Sequence, residues 1–229
     1  MQNPINMVDP DGEEPTPHEA ALIAAHVYGN AADNIKLEGG WKVSTRNVGL
    51  TKNDFNNKDT GLKSSLYERT INGKTEYTYA TAGTEPNYMD IKADIGEALL
   101  GSSSQYDKSV SNAKIIHAAL DGAELTFVGH SLGGGEAAVN AIATGDKAIT
   151  FNAAGVNITD KIEYGGLSSV FSFFSDIVTA YQMTNDPLSI MQDITPLPQS
   201  VGEIKMLHAV PNDKRNGHSI LSVIDAIKN

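Results

Sequence analysis

Residues 127–138 read FVGHSLGGGEAA, and this stretch decides the fold. Leu125 to Val128 is short, β-branched and aromatic, which is typical of a buried parallel strand. Residues 136–143 are rich in alanine, as in a helix that packs closely on a sheet. Between the two lies Gly129-His130-Ser131-Leu132-Gly133, a G-x-S-x-G sequence. The stretch therefore predicts a strand, a tight turn and a helix, with a serine at the turn.

The two glycines around the serine have a steric explanation. In so tight a turn, the middle residue is strained and side chains two positions before and after it would clash. The hydroxyl of Ser131 is therefore expected to stand exposed above the carboxyl edge of the sheet. The free backbone amides at the start of the following helix are placed to stabilise a developing oxyanion. This pattern indicates a nucleophilic serine.

Composition limits the classes of function. The chain has 229 residues, of which 40% are hydrophobic and 20% charged, and this suits one compact domain with an appended tail. Because it has no cysteine, disulfides, thiolate catalysis and cysteine zinc sites are excluded. The net charge of −11, without a basic cluster, argues against nucleic acid and against purely electrostatic binding to anionic lipid. A membrane substrate would be contacted through apolar surface.

The order of elements predicts an α/β domain. Residues 1–17 hold four of the nine prolines and are expected to be a linker before a domain at 18–229. Neither a signal peptide nor a membrane span is expected. The patterns indicate helices over 18–28, 88–100, 105–120 and 219–227, a hairpin of 66–71 with 75–82, and strands over 147–151 and 177–184. This alternation predicts a mostly parallel central sheet with helices on both faces.

A serine hydroxyl needs a base, usually a histidine held by a carboxylate, and here the order serine, acid, histidine is expected. His208 and His218 are the candidates that follow Ser131. His218 is favoured because it lies in a loop before the last helix, whereas His208 follows an extended segment and is interpreted as structural.

The acid should follow the carboxyl end of a strand. Asp186 follows the strand predicted over 177–184 and is favoured, with Asp176 as the alternative acid. Asp193 and Asp160 are weaker candidates. A helix cap or a turn is the alternative role of such an aspartate.

The second oxyanion donor is expected after an earlier strand. Residues 78–82 form such a strand, and Gly83-Thr84 follows it. Thr84 is the candidate, through its backbone amide and its hydroxyl, beside the amide of Leu132. The alternative is that Gly83-Thr84 only turns the chain.

Residues from about 65 to 222 resemble the class 3 lipases, the fungal-lipase-like branch of the α/β-hydrolases. The motifs that carry this resemblance are AGTEPNYMDIKADI at 82–95, VGHSLGG at 128–134, ITFNAAG at 149–155 and NDPLS at 185–189. The resemblance implies an α/β-hydrolase fold with Ser131, Asp186 and His218 as triad, and Thr84 and Leu132 as oxyanion donors. It also implies a lid at roughly 86–106 and no metal or cofactor.

The first residues carry a second resemblance. NPINMVDPDGE, at 3–13, contains P-x-x-x-x-D-P-x-G from Pro4 to Gly12 and is similar to the end of an Rhs/YD-repeat core. That resemblance implies a C-terminal toxin that an Rhs shell encloses and an immunity protein neutralises. It further implies secretion, by the type VI apparatus, to the membrane surface or periplasm of a target cell.

The pattern around Ser131 predicts a serine hydrolase. The two resemblances imply that it cleaves lipid esters, most of all phospholipids, as an antibacterial effector. Membrane contact is expected to be transient and apolar, through Tyr88, Met89, Ile91, Leu99 and Leu100. A non-toxin esterase, a peptidase or amidase with the same triad, and a catalytically silent lipid- or partner-binding module are the alternatives.

Overall fold

A computed structural model describes residues 14–29, 35–83, 103–156 and 176–229 of the chain. Seven strands in these ranges form one sheet, in which their spatial order is their chain order. The strands are β1 Lys42–Val43, β2 Ser64–Ile71, β3 Lys74–Thr81, β4 Leu125–His130, β5 Lys147–Phe151, β6 Val178–Met183 and β7 Glu203–Leu207. The helices described are α1 Pro17–His26, α2 Lys52–Phe55, α3 Ser103–Leu120, α4 Leu132–Thr144, α5 Pro187–Ile194 and α6 Ile220–Lys228.

The sheet is antiparallel at one side and parallel over the rest. β1, β2 and β3 pair antiparallel, and β3 to β7 run parallel to one another. The predicted hairpin is present as β2 and β3, and Asn72 and Gly73 at its turn both have positive φ angles. A two-residue turn with this geometry matches the twist of the strands that it joins.

Helices cover both faces of the sheet, so the predicted α/β architecture is confirmed. On one face α3, α4 and Leu188 of α5 pack on a core that includes Phe127 and Tyr79. On the other face α1 and α6 pack on Val128 and Phe151. Neighbours such as Phe127 and Val128 serve opposite cores because successive side chains of a strand point to opposite faces.

The helix after β4 begins earlier than its alanine content predicts. It starts at Leu132, so the glycines at 133–135 form its first turn and are not part of a loop. The physical reason is close backbone packing. A Cβ on Gly133 would lie 2.2 Å from the carbonyl oxygen of Thr81, at the end of β3. This helix therefore approaches the sheet through glycine, which alone fits there.

The parallel strands bring distant parts of the chain to one edge. Because β3 to β7 are parallel, their carboxyl ends meet at the same edge of the sheet. Ser131 directly follows β4, and Asp186 lies three residues beyond β6. Two segments predicted from sequence, the linker up to residue 13 and the helix at 88–100, lie outside the described residues. Among the helices described, none has the length and apolarity needed to cross a membrane.

Candidate active site

Ser131 occupies the strained turn that the sequence predicts. Its φ of 58° lies in the left-handed region, which residues other than glycine rarely adopt. A Cβ on Gly129 would lie only 2.0 Å from the carbonyl oxygen of Gly133. The glycines on either side of the serine are thus required by contact between strand and helix, and they present Ser131, which is half-buried, at the carboxyl edge of the sheet.

The backbone of this turn is held by the neighbouring strand. The amide of Ser131 donates to the carbonyl of Phe151, at 3.1 Å. The carbonyl of Ser131 accepts from the amides of Ala154 and Gly134, each at 2.9 Å. These bonds offset part of the conformational strain and fix the direction of the serine side chain.

The structure brings His218 to this serine. Nε2 of His218 lies 2.9 Å from Oγ of Ser131, although 87 residues separate them in the chain. His218 is buried and lies in the loop before α6, between β7 and the last helix. Its other ring nitrogen, Nδ1, lies 2.7 Å from Oδ1 of Asp186. A hydroxyl, an imidazole and a carboxylate are therefore linked in one hydrogen-bonded chain.

The carboxylate of Asp186 is fully buried and well supplied with donors. Besides His218, it accepts from the amides of Leu188 and Ser189, at 3.2 and 3.0 Å, and from the Ser189 hydroxyl at 2.6 Å. Burial by itself raises the pKa of Asp186, but the hydrogen bonds from His218 and Ser189 outweigh this and hold its pKa below the ordinary value. Asp186 therefore stays ionised while it caps α5.

The other candidates lie elsewhere. Asp176 is exposed and precedes β6, at the amino edge of the parallel strands. His208 is exposed just beyond β7, and Asp193 is exposed on α5. Asp160 and Thr84 lie outside the described residues, as do the apolar residues predicted for membrane contact and the proposed lid except for its last four residues.

One of the two predicted oxyanion donors is described. Leu132 is the first residue of α4, so its amide has no acceptor within the helix. Gly83 is the last residue described after β3. A Cβ atom placed on Gly83 would lie 3.1 Å from the backbone nitrogen of Leu132. The amide of Leu132 and the segment that leads to Thr84 are therefore adjacent, beside the serine.

Three further residues hold the site together, and sequence patterns did not reveal them. His130 and Tyr28 form a buried hydrogen-bonded pair next to His218. Asn152, with a positive φ, donates from Nδ2 to the carbonyl of Gly217 at 2.8 Å and accepts from the amide of Met183 at 2.9 Å. The one available signal for Asn152 was an asparagine directly after a strand, where asparagine often adopts this conformation.

Glu136, one turn into α4, is a buried acid without a strong partner. It is fully buried, and neither of its carboxyl oxygens has a hydrogen-bond partner of acceptable geometry among the described residues. Burial raises the pKa of Glu136 well above its usual range, and the nearby amide of Gln105 opposes this only in part. Burial therefore favours the neutral carboxylic acid over the carboxylate at this position.

The parallel sheet, the strained serine at its carboxyl edge and the linked imidazole are features of the α/β-hydrolase class. The chain belongs to the phospholipase-like family, whose Tle-like phospholipase domain model matches residues 19–227. The domain is accordingly a carboxylic ester hydrolase of the phospholipase type.

A curated relative is the extracellular phospholipase A1 of Serratia liquefaciens, which is 38% identical over 109 residues. That match covers 48% of this chain and 32% of the relative. The chain thus spans about a third of the length of that protein.

Proposed function

We propose that Ser131 is the nucleophile of a phospholipase, with His218 as its base and Asp186 as the acid that orients the base. The observation that carries this proposal is the unbroken chain of hydrogen bonds from Oγ of Ser131 through His218 to Asp186. Such a chain converts a weakly nucleophilic hydroxyl into an effective one.

The proposed reaction has two halves. Oγ of Ser131 attacks the ester carbonyl carbon while its proton passes to Nε2 of His218. The oxyanion is stabilised by the amide of Leu132 and by Thr84, and the intermediate collapses as His218 gives the proton to the leaving alcohol. A water molecule, deprotonated by His218, then attacks the acyl-enzyme. The fatty acid leaves, and the serine recovers its proton.

The proposed substrate is a phospholipid, cleaved at a carboxylic ester bond in the manner of a phospholipase A. The name of the family and that of the Serratia relative support this substrate class. Apolar surface next to the site supports it too. Ile190 and Ile194 are 46% and 76% exposed on α5, the helix that Asp186 caps. With a net charge of −11, the chain would meet a lipid surface through such residues and not through cations.

The test is a hydrolysis assay on a panel of phospholipids, triacylglycerols and short soluble esters. Ser131→Ala is expected to lower turnover by about 10⁶-fold with the fold intact, the scale seen when a triad serine is removed. A fluorophosphonate should label the wild-type protein at Ser131. Labelling at another residue, or equal turnover of the variant, would overturn the assignment.

We further propose that the domain is an antibacterial effector, released from an Rhs shell and neutralised by an immunity protein. Residues 1–17 would then be the end of that shell and residues 18–229 the toxin. The support is the sequence from Pro4 to Gly12, which is similar to the end of an Rhs core and stands directly before a phospholipase-like domain. Delivery by a type VI apparatus to the membrane of the target cell fits this arrangement.

Expression in a susceptible bacterium tests the effector role. The wild-type domain and Ser131→Ala are directed in parallel to the cytoplasm and to the periplasm, and growth and membrane lipids are measured. The proposal expects growth arrest and lysophospholipid release with the wild type only. If both proteins are equally harmless in both compartments, or equally harmful, the effector role is wrong, whereas the hydrolysis assay still decides the chemistry.

A further inference from the structure

His130, which precedes the proposed nucleophile, contacts the proposed base through its backbone. Nε2 of His130 lies 2.6 Å from the carbonyl oxygen of His218, and the two imidazole rings are 4.9 Å apart. A carbonyl oxygen only accepts hydrogen bonds, so Nε2 of His130 must carry a proton. His130 therefore donates a hydrogen bond to the main chain of His218, the residue whose ring has to face Ser131.

The other ring nitrogen of His130 is held by a tyrosine just beyond α1. Nδ1 lies 3.0 Å from the hydroxyl of Tyr28, which follows the last turn of that helix. Burial lowers the pKa of His130 to about 3, so the ring is neutral and carries one proton only. With that proton on Nε2, Nδ1 accepts from the Tyr28 hydroxyl. The tyrosine thus selects the tautomer that donates to His218.

The Tyr28 hydroxyl also reaches the end of β3. The amide of Gly83 donates to it at 3.0 Å. The Tyr28 hydroxyl therefore links Gly83, at the end of β3, to the imidazole of His130. Through that imidazole it is also linked to the main chain of His218. Among the described residues, the Tyr28 hydroxyl makes no hydrogen bond to the side chain of Ser131, His218 or Asp186, yet it fixes the two sides of the site against each other.

We infer that Tyr28 and His130 are positioning residues of this hydrolase, which keep the imidazole of His218 in line between Asp186 and Ser131. This inference rests on the proposed function. Without the Tyr28 hydroxyl, the proton of His130 is free to move to Nδ1. A lone pair on Nε2 would then face the carbonyl of His218 and push the loop at 217–218 away from the serine.

The chain offers a matched control two residues away, at the last residue of α1. His26, inside α1, has its Nδ1 2.9 Å from the hydroxyl of Tyr67, and their rings also meet edge to face. Tyr67→Phe removes a tyrosine–histidine hydrogen bond of the same kind, but this pair has no contact with the triad among the described residues. Comparing it with Tyr28→Phe separates positioning of the base from support of α1.

The experiment measures kcat, KM and thermal unfolding for the wild type, Tyr28→Phe and Tyr67→Phe, with a short soluble ester as substrate. Tyr28→Phe is expected to lower kcat by about 10- to 100-fold at nearly constant KM, because small misplacements of a catalytic group have effects of this size. Tyr67→Phe should keep the wild-type kcat. Equal kcat values for the two variants, at temperatures where both are folded, would overturn the inference.

A second pair of variants tests the donor on His130. His130→Gln retains an amide N–H that can reach the carbonyl of His218, whereas His130→Leu does not. The glutamine variant should recover part of the kcat lost in the leucine variant. In wild-type protein labelled with ¹⁵N at histidine, His130 should give the spectrum of a neutral ring protonated at Nε2, and Tyr28→Phe should change it.

These outcomes are distinct from failure of the proposed function. If Ser131→Ala remains active, the proposed nucleophile is wrong, and the positioning role that rests on it is wrong as well. If activity depends on Ser131 but a Nδ1-protonated His130 is observed in the wild type, only the positioning role fails.

Discussion

Asp186 and His218 are 32 residues apart in the chain, yet Oδ1 of the aspartate lies 2.7 Å from Nδ1 of the histidine. The same carboxylate accepts from two amides at the start of α5. Asp186 therefore has two functions at once, because it caps a helix and faces the imidazole. The two can be separated experimentally, since asparagine also caps helices well.

Asp186→Asn is expected to leave α5 capped and to lower kcat by about 10⁴-fold, as when the aspartate of a serine–histidine–aspartate triad is replaced by its amide. The physical reason is that an amide can donate to Nδ1 and so stabilise the wrong tautomer of His218. Steady-state kinetics on a short soluble ester measures the effect. Asp193→Asn, an exposed change on the same helix, is the control and should retain full activity.

Glu136→Gln is expected to stabilise the protein increasingly as pH rises. The folded-state pKa of Glu136 is raised by burial, so the unfolded chain loses its proton first and stability falls as pH climbs above the ordinary value of 4.5. Glutamine has no proton to lose. The difference in free energy of unfolding should therefore grow by at most about 1.4 kcal/mol per pH unit.

Urea unfolding of the wild type and of Glu136→Gln at a series of pH values between 4 and 9 measures this difference. At pH 4 the two proteins should be nearly equally stable, because the acid is then neutral in both states. A variant that is less stable than the wild type at pH 8 would show that the ionised form of Glu136 is stabilised in the fold.

Gly133→Ala should prevent normal folding of the turn, because the new methyl carbon would lie 2.2 Å from a backbone oxygen of β3, which has little freedom to move. Gly134→Ala is the matched comparison. There the nearest atom is the side-chain Cβ of Ala153, at 2.8 Å. Soluble yield, melting temperature and fluorophosphonate labelling should all fall much further for Gly133→Ala. Equal losses would mean that contact with β3 is not the reason why glycine is required at position 133.

Ile194→Asp is expected to weaken binding to phospholipid vesicles by about tenfold, since loss of roughly 1.4 kcal/mol of apolar contact corresponds to that factor. Turnover of a short soluble ester should not change. Ile115→Asp is the control, because Ile115 is also exposed, at 41%, but lies late in α3, which leads to the amino edge of the sheet. Vesicle sedimentation and turnover distinguish the two variants. Equal effects of both would exclude α5 as the contact.

Local patterns predicted the parts of the fold that depend on neighbours in sequence. The glycines around Ser131 predict the tight turn there, and the two residues Asn72 and Gly73 predict the hairpin. Asp186 could be placed at the carboxyl edge because it ends a strand pattern. In each case a few adjacent residues determine the backbone, and parallel pairing then determines which edge they share.

Long-range contacts could not be predicted in the same way. Tyr28 and His130 are 102 residues apart, and no periodicity in either segment indicates the other. Glu136 lies among alanines in a helix that is buried on all sides, where an acid would ordinarily be expected at the surface. The start of α4 was missed because glycine propensity favours a loop, whereas packing against Thr81 requires a helix.

The seven strands lie in the sheet in the same order as in the chain, and this order affects when activity appears during folding. Neighbouring strands can add one after another, but His218 comes after all seven, and α6 must pack beside α1 to place its loop. Pairs so distant in sequence form slowly because a long loop has to close. The single tryptophan, Trp41, is buried beside β1 and reports on the first strands. After dilution from denaturant, esterase activity should therefore appear later than the change in its fluorescence, so that the chain is inactive until its last helix has docked.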